Sequence, residues 1–286
     1  MSKTVFLNGS YMDESEAKVS IFDRGFVFGD GVYEVVPVVA KTVLDKEPFL
    51  QRFERSLKEL ELAWPMNKEE FLLMIDELIK RNHIEEGGVY MQVTRGVAPR
   101  DFGYPKDVTP TVMAFGFKKE IINSPYAKSG VKVVTVDDIR WKRRDIKSIA
   151  LLGQCMAKEQ ASKQGAFEGW MVEDGFVTEG TSSSAYIVKD GKIITRPLSN
   201  SILSGIRRKI LIELAKEHKI ELEQRLFSVK EALEADEAFL SSATTFVLPI
   251  IEINGKQIGD GKPGKIAKKM REMYIDSALK VAGVKN

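Results

Sequence analysis

The chain has 286 residues, 43 Lys and Arg against 41 Asp and Glu, a net charge of +2, and is 43% apolar and 29% charged. That balance suits a globular protein of one large or two ordinary domains and offers no basic field for nucleic acid. A single cysteine, Cys155, excludes an internal disulfide framework, and two distant histidines, His83 and His218, leave no His-based metal site and no Ser-His-Asp triad to expect. The start, Met1-Ser2-Lys3-Thr4, lacks an apolar signal core and no run reaches membrane-spanning length, so a cytoplasmic protein is expected.

Thr4 to Leu7 reads as a strand and Asn8-Gly9 as a tight turn. Val19 to Asp23 reads as a second strand. It leads into Arg24-Gly25-Phe26-Val27-Phe28-Gly29-Asp30-Gly31, where three glycines in seven positions indicate either a backbone that closely approaches something or a turn plugged by aromatics. Val32 to Val39 is an apolar strand. Leu50, Phe53, Leu57 and Leu60 recur at helical spacing, with Arg52 and Arg55 on the face read as solvated. Asn67 caps a second helix through about Arg81. Strands follow at Val89 to Thr94 and Thr111 to Phe117, separated by a Pro/Gly loop from Arg95 to Pro105 of a kind that is often functional.

Residues 119–127 are the expected linker between domains at 1–118 and 128–286. The second half reads as a strand (131–137), a basic segment, a helix (149–164) that carries Cys155 as a buried, inert thiol, and a strand (167–173). Hairpins turn at Asp174-Gly175, Asp190-Gly191 and Asn254-Gly255. A helix follows Ser204-Gly205 to about His218, Ser228 starts a short helix, a strand reaches Ser241 to Thr245, and a terminal helix begins near Pro263. This mixed order gives an α+β chain of two lobes.

The basic segment, Asp138 to Ser148, packs five cations into eight positions around Trp141 and Ile146. Apolar residues there indicate a buried or half-buried stretch, in which desolvation and neighbouring cations push a lysine such as Lys147 towards its neutral, nucleophilic form. The other reading is a surface lysine in a solvated loop. One helix and one strand downstream lies Val177-Thr178-Glu179-Gly180-Thr181-Ser182-Ser183-Ser184. Ser204-Gly205 before a helix is either an anion site or an ordinary helix start, and the hydroxyls of Ser241 to Thr245 are either its helpers or a turn. An amine, an acid and two phosphate-ready turns in one lobe suggest an aldehyde cofactor bearing phosphate, which is what pyridoxal phosphate requires.

Together with Asp23-Arg24-Gly25, Phe28-Gly29-Asp30-Gly31-Val32-Tyr33-Glu34, Gln92-Val93-Thr94-Arg95-Gly96, Pro99-Arg100, Asp138-Ile139-Arg140-Trp141, Asp145-Ile146-Lys147-Ser148 and Thr178-Glu179-Gly180, the chain resembles the D-amino-acid aminotransferases of the fold-type IV pyridoxal-phosphate enzymes. The blocks run in family order over most of the chain. The resemblance implies a two-lobed fold and a homodimer, with the site where the lobes meet and the Arg100 loop reaching the neighbouring subunit's site. It implies Lys147 as the Schiff-base lysine and proton carrier and Glu179 as the acid on the pyridine nitrogen. Arg55, Ile206, Arg207, Ser242 and Ala243 become phosphate holders, and Ser182 joins the cofactor set. Tyr33 becomes the tyrosine near the lysine and substrate, with Tyr90, Arg100 and Arg24 as further substrate residues. The implied reaction moves an amino group from a D-amino acid to a 2-oxo acid in two half-reactions, without metal.

The chain departs from this pattern at the carboxylate trap. The family's Pro-Arg-x-His is here Pro99-Arg100-Asp101-Phe102, so one donor to the substrate carboxylate is missing and Arg100, Tyr33 or Arg24 must carry more. Ser184 stands for the family's Asn, Tyr186 for its Phe, and Ala243 for a Thr at the phosphate. The alternatives on the same scaffold are an L-branched-chain aminotransferase, an (R)-amine transaminase, a lyase of the aminodeoxychorismate type, and a pyridoxal-phosphate-binding protein without turnover.

Overall fold

Four Asx-Gly pairs punctuate the chain as hairpin turns. In the computed structural model, which describes residues 3–284, Asn8, Asp174, Asp190 and Asn254 have φ of 47°, 53°, 51° and 52°, and the glycine after each is also left-handed. Only Asn, Asp and Gly adopt that backbone cheaply, and its twist matches the flanking strands.

The chain forms two compact units. One takes the chain up to Glu120, Ile146–Ala150 and the stretch from Ala278; the other takes Ile121–Asp145 and Leu151–Ser277. A division at 119–127 alone would leave the lysine segment in the second lobe, whereas these five residues pack with the first unit.

The first unit contains β1 (Thr4–Leu7), β2 (Ser10–Asp13), α1 (Arg24–Phe28), β3 (Gly31–Val39), β4 (Thr42–Val43), α2 (Lys46–Glu59), α3 (Lys68–Arg81), β5 (Glu86–Thr94) and β6 (Thr111–Lys118). Its six-stranded antiparallel sheet runs β2-β1-β6-β5-β3-β4. The apolar stripes of α2 and α3 bury Phe49, Phe53, Leu57, Phe71, Ile75 and Leu78, with Phe53 and Phe71 stacked at 5.2 Å. Each such side chain contributes about 1.5–3 kcal/mol by leaving water. Asn67 caps α3 as expected, accepting from the Glu70 amide at 2.8 Å.

The second unit holds α4 (Pro125–Ser129), β7 (Val131–Asp137), α5 (Leu152–Lys163), β8 (Glu168–Glu173), β9 (Phe176–Gly180), β10 (Ser184–Lys189), β11 (Lys192–Thr195), α6 (Ile206–Glu217), β12 (Leu222–Gln224), α7 (Val229–Leu233), β13 (Glu237–Ser242), β14 (Phe246–Ile253) and β15 (Lys256–Gln257); α8 (Lys265–Val281) begins in it. Its nine-stranded mixed sheet runs β12-β11-β10-β13-β14-β7-β8-β9, with β15 on β14. β7 is parallel to both its neighbours, β14 and β8. Trp170, Phe227, Leu240, Leu248 and Ile253 centre its core. Among the described residues no helix is long and apolar enough to cross a membrane.

Four expectations are corrected. Val19 to Asp23 forms no strand: Val19, Ile21 and Phe22 are exposed, and Asp23 caps α1 by accepting from the Gly25 amide, so the local cap prevails over the β-branched run. Phe26 is no plug, being 74% exposed. The stretch read as linker already enters α4 at Pro125. Cys155 is exposed, because α5 buries its small face, Ala157 and Ala161, and turns Leu152, Cys155 and Met156 outward.

Candidate active site

Within the first unit, the five residues around Lys147 are clipped to the start of β3. Ser148 bridges Val32, the Tyr33 amide donates to the Lys147 carbonyl at 3.0 Å, and the Ile149 amide donates to the Gly31 carbonyl at 3.0 Å. The Lys147 amide donates to Ser56 Oγ on α2 at 3.2 Å. Ile146 is buried as expected, whereas Trp141 is 43% exposed. With its main chain fixed on both sides, Lys147 is half-buried and its Nζ stands 4.3 Å from the centroid of the Tyr33 ring. Among the described residues no carboxylate forms an ion pair with it.

Tyr33 stacks on Tyr90 at 5.4 Å, and Tyr90 on Phe115 at 5.0 Å, so an aromatic ladder runs across β3, β5 and β6 beside the amine. Tyr90 donates to Gln92 at 2.8 Å, and burial pushes its phenol well above the ordinary value. Arg24 is buried. It donates to Asp30 at 2.7 Å and to the Asp101 carbonyl at 2.6 Å, so its guanidinium braces the 95–105 loop. Arg95 grips the same Asp30 and two carbonyls at the end of α2, those of Leu60 and Glu61. Arg100 is exposed, its guanidinium 5.6 Å from the Phe28 ring and 5.4 Å from that of Phe102. Arg55 is exposed on α2, 3.8 Å from Glu59. Arg52 corrects the solvated-face expectation: it donates twice to Glu34, at 2.7 Å each, and that carboxylate is fully buried in β3.

The acid lies in the second unit. Glu179 is next to the last residue of β9 and 6% exposed. Arg140 Nη1 donates to its Oε1 at 2.6 Å, and the Leu203 amide donates to both oxygens at 3.1–3.2 Å. Burial pushes this carboxyl upward, and Arg140 is the strongest influence pulling it back. Two residues after Leu203, Gly205 opens α6. The N-cap is glycine, so the cap residue itself brings no side chain to the first turn, which begins with Ile206 and Arg207. A Cβ at Gly205 would come within 2.8 Å of Ser184 Oγ, and Ser184 pairs with Ser241 across the sheet. At the end of β13 the Ser242 and Thr245 hydroxyls are 2.8 Å apart; Ala243 follows Ser242. The side chain of Arg207 donates to Tyr274 Oη at 2.6 Å.

Ser182 is placed by a residue that sequence reasoning missed. Glu168, on β8 and 2% exposed, accepts from Thr181 Oγ1, the Ser182 amide and Ser182 Oγ at 2.8–2.9 Å, and from Ser183 Oγ. The signal was present in Thr181-Ser182-Ser183, three adjacent hydroxyls that need an acceptor if buried.

Residues 31–253 match the family model for class IV amino-transferases. The chain belongs to the class IV aminotransferases. It is 42% identical over 279 residues to a D-alanine aminotransferase of Staphylococcus haemolyticus (96% of this chain, 98% of that one) and 39% identical over 277 residues to one of Bacillus licheniformis (96% and 97%). The crystal structure of the Escherichia coli branched-chain amino acid aminotransferase has the same fold, with a TM-score of 0.90 at 22% identity over 96% of this chain and 94% of that one.

As a class IV aminotransferase the chain depends on pyridoxal phosphate. Its donor set suits that group. An amine without an acid partner can take an aldehyde. A buried carboxylate has about four acceptor sites, and the guanidinium and amide donors on Glu179 leave room for a ring N–H. A helix start led by glycine lets a phosphate approach its main-chain N–H groups closely.

Proposed function

We propose that this chain transfers the amino group of D-amino acids, D-alanine among them, to 2-oxo acids such as 2-oxoglutarate or pyruvate, as a cytoplasmic homodimer. The reading is carried by Lys147, an amine held half-buried over Tyr33 by backbone hydrogen bonds on both sides and free of any carboxylate partner among the described residues. The choice of D-amino acids is supported by near-full-length likeness to proteins named D-alanine aminotransferase.

Pyridoxal phosphate supplies an aldehyde that takes up an amino group and a ring that accepts the electron pair left when Cα loses its proton. Lys147 would supply the amine that anchors the cofactor and, as a free amine, the base that would take the proton from the substrate Cα and deliver it to the cofactor's C4′. Tyr33, beneath the amine, orders it and keeps water from one side. Glu179 accepts a hydrogen bond from the ring nitrogen, a charge-assisted contact of about 1.5–3 kcal/mol. The Ile206 and Arg207 amides, Ser242 and the backbone of Ala243 hold the phosphate, with Arg55 adding a cation and Ser182 completing the set. Arg100, with Tyr90 lining the amine side, takes the substrate carboxylate, its loop serving the partner subunit. Arg24 holds that loop through the Asp101 carbonyl.

Mixing the holoenzyme with D-alanine, then separately with L-alanine, tests the reading. D-alanine is expected to bleach the cofactor's absorbance and, with 2-oxoglutarate, to give D-glutamate in double-displacement kinetics; Lys147→Ala is expected to abolish both. Bleaching by L-alanine or L-leucine alone would transfer the chain to the branched-chain side, and multiple turnovers of aminodeoxychorismate to 4-aminobenzoate without any 2-oxo acid acceptor would transfer it to the lyases. Full turnover in Lys147→Ala would end the scheme.

A further inference from the structure

We propose that Arg140 is a positioning residue for the reaction: it fixes the Glu179 carboxylate, ionised and in one orientation, for the cofactor's ring. This rests on the reading that Glu179 is the ring partner. Arg140 follows β7, and its side chain is 5% exposed. Its Nε and Nη2 clamp Asp138 at 2.9 and 2.7 Å, and its Nη1 reaches Glu179 at 2.6 Å, so one guanidinium bridges two buried acids that would otherwise repel. Asp138 is held in turn by Thr178 Oγ1 at 2.7 Å and Arg144 at 3.3 Å, and Arg144 grips Glu173 at 2.9 and 3.0 Å. Thr178 is the residue before Glu179 on β9, so the network fixes the acid through both its side chain and its strand. The stem of Arg140 is covered by the first turn of α5, where a Cβ on Gly153 would come within 3.1 Å of Arg140 Cγ.

The groups acting on Glu179 are the charges of Arg140 and Asp138 from the segment after β7 and of Arg196 beyond β11, and the hydrogen-bonding Leu203 amide before α6. Burial favours the neutral acid, and Arg140 is the largest opposing influence. A neutral acid cannot hold a proton on the ring nitrogen, so removing Arg140 removes the electron sink while the amine at 147 and the phosphate donors stay in place.

The test uses holoenzyme reconstituted with ring-15N pyridoxal phosphate. In Arg140→Met the nitrogen resonance is expected to move from the protonated towards the unprotonated position, as in the Glu179→Gln control, and to return in Arg140→Lys. kcat for D-alanine is expected to fall about tenfold or more, with KM changed less than about twofold. Where Arg140→Met does not fold, the double variant Asp138→Asn/Arg140→Met, which removes an acid and a base together, is read the same way. A wild-type resonance in the Arg140 variants alongside a shifted one in Glu179→Gln would overturn the proposal. An unshifted resonance in Glu179→Gln itself would instead overturn the ring-partner reading beneath it.

Discussion

Phe102 stands at the position where the resemblance leads one to expect a histidine, and its ring lies 5.4 Å from the Arg100 guanidinium and 5.6 Å from the Phe28 ring. An aromatic face can steady the arginine but donates nothing to a carboxylate. Phe102→His is therefore expected to lower KM for D-alanine about tenfold, the value of one charged hydrogen bond, with kcat little changed. Steady-state kinetics on both proteins decide it, and an unchanged KM would show that Arg100 needs no second donor. At this scale the sequence was informative where chemistry is local. Lys147 drew notice because Ile146 sits beside it in a basic run, whereas the role given to Glu179 came from the resemblance. The pairing of Arg52 with Glu34 and of Arg140 with Glu179 was not legible, because the partners are 18 and 39 positions apart and lie on different elements. An arginine on a helix gives no sign of which strand it reaches.

The turn between β9 and β10 shows the same division at the level of elements. Its hydroxyls were visible in the sequence, but their acceptor, Glu168, lies on β8 and has no local signature. A buried carboxylate without a cation partner among the described residues is stabilised here by four donors from three consecutive residues. Glu168→Gln puts an amide N–H₂ where acceptors are required, so it is expected to cost about 1–3 kcal/mol in urea unfolding and to speed hydrogen exchange at the Ser182 amide. Wild-type exchange there would mean that the strands alone hold the turn. Elements announced by their ends were the ones read correctly: Asn67 before α3, Ser228 before α7 and the four Asx-Gly hairpins. The misreadings at Val19 to Asp23 and at Cys155 depend on what the rest of the chain offers to pack against, which periodicity does not state.

Taken over its whole length, the molecule keeps most of its charge at the surface but buries a set of charged side chains. The balance of 43 basic and 41 acidic residues gives a net charge of only +2, yet the buried residues include Arg24, Glu34, Arg95, Arg144, Asp145, Glu168, Glu179, Arg207, Arg208 and Arg271. Such an interior gains specificity at the cost of sensitivity to protonation. Asp138, whose side chain is fully buried beside Arg140, responds with a clear sign. Its carboxyl feels burial upward, but Arg140, Thr178 and Arg144 together hold it below the ordinary 3.8. A depressed folded-state value means that its contribution is complete above that ordinary value and is lost as pH falls through the depressed one. Acidification also protonates the other carboxylates and leaves the 43 basic residues repelling one another. The urea midpoint is thus expected to be flat near neutrality and to fall steeply below about pH 4. Asp138→Asn should be less stable at neutral pH, by about 3–5 kcal/mol where Arg140 and Arg144 lose their shared counter-charge, and should show a shallower acid slope, so that the two curves converge. Parallel curves would place the acid sensitivity elsewhere, because a group that has already lost its charge can contribute nothing to the difference between neutral and acid pH.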